Sequence, residues 1–110
     1  MEKLPIIFRK FKDTQEVIAF FPTLSSTLNI WDCESYMHVG QHGAASTALI
    51  AELDKCTVEE YTPLLKELTS IYTTDTYGDE PCELVVKRIN HSSYFEKRRQ
   101  AVLKELYRKA

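Results

Sequence analysis

Glycine is scarce in this chain, with three residues in 110, and proline occurs four times. Collagen-like and low-complexity architectures need far more of both. The three cysteines, Cys33, Cys56 and Cys82, are odd in number and 23 and 26 residues apart. No CxxC pair is present, so neither a zinc knuckle nor a redox dithiol is signalled, and the thiols are expected to act as small hydrophobes in a reducing compartment. No apolar run approaches the roughly 18–20 residues that span a bilayer; Val17 to Pro22 is typical of the longest. The opening Met-Glu-Lys-Leu-Pro has neither an apolar h-region nor a small-residue cleavage site, so the chain is expected to remain in the cytoplasm. Residues that would cradle a nucleotide are also missing: there is no GxGxxG and no Gly-Lys-Ser/Thr.

What is present is ordinary for one globular domain: 44% hydrophobic residues, 27% charged residues and a net charge of −2. The charge is unevenly spread. Residues 17–86 carry two basic side chains, Lys55 and Lys66, against eleven acidic ones, whereas residues 87–110 carry eight basic against two acidic. Such asymmetry fits either an anionic partner or mutual attraction between two parts of one fold.

Leu4 to Lys12 and Glu16 to Phe21 are rich in Ile, Val and Phe and read as two strands joined at Asp13-Thr14-Gln15. Apolar residues occur on both faces of this hairpin, so part of it should be covered on both sides. Cys33 to Gly40 alternates cleanly, placing Cys33, Ser35, Met37 and Val39 on one face and Glu34, Tyr36 and His38 on the other, wetter one. Ala44 to Leu53 favours a short helix. Thr57-Val58-Glu59-Glu60 is a capping box, and Val58, Tyr61, Leu65, Leu68 and Tyr72 follow at helical spacing. Pro63 predicts a kink or a start near Thr62. Thr73 to Glu80 is turn-rich, Glu83 to Asn90 reads as a further strand, and Ser93-Tyr94-Phe95-Glu96 is a second capping box opening a helix to about Lys109. The expected class is α+β, a mainly antiparallel sheet of about four strands with two to three packed helices. Phe8, Phe20, Val39, Tyr61, Leu65, Leu68, Val85 and Leu106 are its expected core.

Three constellations bear on function. Tyr36, His38 and His42, with Gly40 and Gly43 letting a ligand approach the backbone, form the candidate small-ligand site. His38 and His42 have the spacing of two zinc ligands, but Gly40 interrupts them and Cys33 belongs to the opposite strand face, so no metal and no cofactor is expected. Lys97, Lys104 and Arg108 form a basic wedge on the last helix, flanked by Arg98 and Lys109, which would suit phosphate contacts. The single tryptophan, Trp31, is either a partner anchor or a lid on the core.

Ser35-Tyr36-Met37-His38-Val39-Gly40-Gln41-His42-Gly43, together with Thr57-x-Glu59-Glu60-Tyr61-x-x-Leu64-x-x-Glu67-Leu68, resembles a group of small uncharacterised bacterial proteins, often carried by phages and integrated mobile elements. The resemblance covers most of the first 90 residues. It implies a bacterial cytoplasmic setting and supplies no catalytic residue. The expected function is a non-enzymatic binding module acting on a protein partner or as a homo-oligomer, with no membrane association. Two alternatives stand beside it: a nucleic-acid-binding accessory protein using Lys97, Lys104 and Arg108, and a small hydrolase built around Tyr36, His38 and His42.

Overall fold

A computed structural model describes residues 2–37, 42–72 and 82–109. Within them are β1 (Glu2–Lys10), β2 (Val17–Phe21), β3 (Asp32–Tyr36), β4 (His42–Ser46), α1 (Leu49–Glu52), β5 (Asp54–Lys55), α2 (Val58–Tyr72), β6 (Cys82–Lys87) and α3 (Ser92–Lys109). The class is α+β, as the sequence predicts, but the sheet has six strands where about four are expected. Strands β4, β3, β2 and β1 lie in that order as antiparallel neighbours. The far side of β1 is shared: β6 pairs with Glu2 to Ile7, and β5 with Arg9 and Lys10. The β6 pairing is parallel, a departure from an otherwise antiparallel sheet. Among the described residues no helix is long and apolar enough to cross a membrane.

The first hairpin shows why two apolar faces are needed. On one face Leu4, Ile6, Phe8, Ala19, Phe21 and Tyr36 pack under Leu64 and Leu68 of α2. On the other, Ile7, Ile18, Phe20 and Cys33 pack with Ile50 of α1 and with Tyr94 of α3. The sheet is therefore covered on both sides, and the strand residues alternate between two cores. Gln15 takes a φ of 61° at the turn, where its N–H donates to the Phe11 carbonyl at 2.9 Å.

Helix α2 starts at its capping box. The Thr57 N–H donates to Glu60 Oε1 (3.0 Å) and the Glu60 N–H to Thr57 Oγ1 (3.3 Å), satisfying two of the helix's orphan donors. The helix does not begin near Thr62; it runs from Val58 through Pro63. Pro63 lies on the exposed face near the start, where water can serve the Glu59 carbonyl that proline leaves without a donor.

Several other expectations are corrected. Residues 44–53 form strand β4 and a single helical turn, because the open side of β3 recruits His42–Ser46 as a partner. The second capping box does not form as read: α3 opens at Ser92, and it is His91 Nδ1 that accepts the Ser93 N–H (3.1 Å). Phe8, Phe20 and Leu68 are buried. Tyr61, Leu65 and Val85 are only half-buried, and Leu106 is 46% exposed. Val39 and the turn-rich Thr73 to Glu80 lie outside the described residues.

Arg98 departs furthest from the helical wheel. Instead of flanking the basic wedge it is 2% exposed, with Nη1 donating to the Pro22 carbonyl (2.6 Å) and Nε to the Ile30 carbonyl (3.0 Å). Its guanidinium lies 5.8 Å from the centroid of Phe95, a distance at which a cation is attracted to a ring. A planar fork of donors suits this task, since two carbonyls from one connecting loop converge on one side chain.

Candidate functional site

Among the described residues, strand β4 ends the sheet on one side. Its sequence, His42-Gly43-Ala44-Ala45-Ser46, has no Lys, Arg, Asp, Glu or Pro, and four of its five residues are exposed. The register with β3 is unbroken from Asp32↔Ser46 to Tyr36↔His42, so no bulge twists the edge away. Terminal strands of folded proteins are usually blunted by charge, proline or a bulge, because their outer N–H and C=O groups are a template for another strand. None of those devices is present in β4.

Each end of this edge is marked by aromatic side chains. At the Ser46 end, the Thr47 N–H and Oγ1 both donate to the Trp31 carbonyl (2.8 and 2.9 Å). The Trp31 ring is 60% exposed and rests on Phe95 of α3 at a centroid distance of 4.9 Å. Trp31 therefore touches α3 on one side and solvent on the other.

At the other end, Tyr36 and His42 face each other across the hairpin with ring centroids 4.5 Å apart. Tyr36 is 1% exposed, and its hydroxyl donates to the Glu67 carboxylate of α2. His42 Nε2 is 3.1 Å from the Tyr72 hydroxyl. Burial, reinforced by the charge of Glu34, pushes the Tyr72 phenol up to about 12, so it keeps its proton throughout the physiological range. The expected wetter face of β3 is therefore a packed polar cluster beneath α2. The buried Tyr36 phenol ties the end of β3 to α2.

Of the candidate ligand residues, the structure brings Tyr36 and His42 together and adds Glu67 and Tyr72. Nothing in the local sequence pointed to the last two, because they arrive from a helix 31 residues away in the case of the Tyr36–Glu67 bond. Gly43 sits inside β4, without positive φ and with nothing within 4 Å of an added Cβ. Its carbonyl accepts from Ser35 Oγ at 2.9 Å. His38 and Gly40 lie outside the described residues. Cys33 is on the opposite sheet face from Tyr36, and burial pushes its thiol up to about 11. It is a core residue, and no nucleophile for that cluster. Among the described residues, no three His, Cys, Asp or Glu side chains converge in a metal-binding group.

The basic wedge is thinner than the wheel implied. Lys97 and Lys104 are exposed, while Arg108 pairs with Glu105 (3.1 Å) and the nearby Arg99 with Glu96 (3.1 Å). Among the described residues no ion pair joins this segment to the acidic middle of the chain; Lys10–Glu60 (2.6 Å) and Lys12–Asp54 (3.9 Å) are the contacts made there by basic side chains of the first strand region. No protein-family model, curated protein or solved structure matches the chain.

Proposed function

We propose that this chain is a small non-enzymatic interaction module that receives an extended segment of a partner protein as an added strand along β4. The observation that carries this is the edge itself: five residues without charge or proline, unbulged, largely exposed and ending the sheet. Strand addition of this kind draws its affinity from main-chain hydrogen bonds and its selectivity from side chains at the ends. The small Gly43, Ala44 and Ala45 let another backbone approach. The exposed Trp31 offers an aromatic anchor beside one end, and tryptophan is among the residues that concentrate binding energy. The resemblance to small proteins of bacterial mobile elements would set this in a bacterial cytoplasm.

Alternate residues of a strand direct their N–H groups to opposite sides. One of Ala44 and Ala45 therefore donates outward, and proline there removes a donor from the docking edge while leaving the β3 ladder intact. Affinity capture from the native host, with nuclease treatment, should retain a protein partner with the wild-type bait and lose it with whichever proline variant still folds. Capture of a second copy of this chain, equally lost in that variant, would make the partner a homo-oligomer. A nuclease-sensitive capture, or one indifferent to both substitutions, would refute docking at β4.

A further inference from the structure

Opposite β4, where β5 and β6 share the edge of β1, lies a second feature that strand addition does not use. The two strands do not meet, and Phe8 falls between their registers. Arg9 fills the break: Nε donates to the Ile50 carbonyl (2.9 Å), Nη1 to the Phe8 carbonyl (3.0 Å) and Nη2 to the Arg88 carbonyl (2.8 Å). Its side chain is buried, at 6% exposure, and it has no carboxylate partner among the described residues. Neutral carbonyls orient a guanidinium without cancelling its charge, so a positive field remains in the wall of the sheet.

Around that wall opens a cleft of about 20 Å³, partly open to solvent, whose lining includes Arg9, Lys55, Cys56, Tyr61, Lys87 and Arg88. Four of these carry positive charge and none is acidic. This convergence is not a consequence of composition, because Lys55 is one of two basic residues in the 17–86 stretch. Two carboxylates of the adjoining segment are engaged elsewhere: Glu60 is held by Lys10 at 2.6 Å and by the Thr57 N–H, and Asp54 faces Lys12. No carboxylate pairs with Lys55, Lys87 or Arg88 among the described residues. Burial holds the Cys56 thiol above its ordinary range, so it adds no competing negative charge. Stacked rings of Phe8 and Tyr61, 4.6 Å apart, give the cleft an apolar side that strengthens any ionic contact within it.

We propose that this cleft binds a compact phosphate dianion, either free phosphate or the terminal group of a small phosphomonoester. The cleft has room for about one water-sized group, such as a phosphoryl oxygen, and is far smaller than the several hundred Å³ of a cavity for an organic ligand. Arg9 would form the fixed base, and the exposed Lys55, Lys87 and Arg88 would close around the remaining oxygens as charge-assisted donors.

The test is a titration of the full chain with inorganic phosphate, followed through its backbone amide resonances at constant ionic strength. A second titration uses glycerol phosphate. Saturable shifts confined to residues 54–56 and 87–89 are expected, weakened about tenfold in Lys87→Gln and again in Arg88→Gln, as loss of one charge-assisted contact requires. Tighter binding of the monoester would assign the site to organic phosphates, and equal binding to free phosphate. A Lys97→Gln/Lys104→Gln variant should bind as the wild type does. The Lys87 and Arg88 side chains are at the surface, so amide spectra unchanged elsewhere will show that their variants fold. Absence of saturable shifts with either anion, or shifts equal in all variants, would overturn the proposal.

Discussion

Replacing Arg98 by alanine should detach α3 from the connection between β2 and β3. The side chain is 2% exposed and makes two bonds, to the carbonyls of Pro22 at 2.6 Å and Ile30 at 3.0 Å. Hydrogen bonds from a charged donor contribute about 1.5–3 kcal/mol each, and the truncation also removes a packed aliphatic stem. Against this, the folded state no longer has to desolvate a guanidinium. Burial already holds the Arg98 guanidinium below its usual range, so that cost is real. The net loss should be about 2–4 kcal/mol. Arg98→Lys should recover less than half of it, because an ammonium is a point charge that cannot serve both carbonyls as a fork does. Urea unfolding followed by fluorescence measures both effects. Trp31 is the only tryptophan and its ring contacts Phe95 of α3, so its emission reports α3 docking directly. A loss under ~1 kcal/mol with native Trp31 emission would show that the two carbonyls are served without Arg98.

Further outcomes follow from the two cores and the helix cap. Leu68→Ala should cost about 2–5 kcal/mol in the same assay, since Leu68 is fully buried between α2 and the sheet; a value under ~1 kcal/mol would mean that the site collapses around the smaller side chain. Glu60 is held down to about 2, first by Lys10 and then by the Thr57 N–H. A carboxylate more acidic in the folded than the unfolded chain contributes stability that is present above its unfolded value, near 4.3, and is lost as pH falls toward 2. Glu60→Gln should therefore flatten the dependence of stability on pH in that window, and an unchanged slope there would contradict the cap.

The hairpin of β1 and β2 was legible because β-branched and aromatic residues occupy both faces, which only a sheet covered on two sides can bury. The alternation through Cys33, Glu34, Ser35, Tyr36 and Met37 placed those residues on the faces they occupy, and the Thr57–Glu60 box marked the start of α2. Strand β4 was not legible. Gly43, Ala44, Ala45 and Ser46 have little strand preference of their own, and their conformation comes from pairing with β3. The parallel match of β6 to β1 joins segments some 80 residues apart and leaves no local trace. Arg98 misled for a related reason: periodicity gives a residue's direction on a helix, but its carbonyl partners lie 76 and 68 residues away. In the candidate site, Tyr36 and His42 were visible as residue types, whereas Glu67 and Tyr72 entered only through the packing of α2 on the sheet.

Amide hydrogen exchange of β4 with and without the captured partner tests strand addition most directly. In the free chain, the residues of His42–Ser46 whose N–H groups point away from β3 should exchange quickly, and those bonded to β3 slowly. Binding should slow the outward set selectively, with the alternate pattern of a newly paired strand, and should leave the solvent-facing amides at the start of α2 unchanged. Binding that protects the exposed face of α3 instead, with the outward amides of β4 exchanging as fast as before, would contradict docking on this edge.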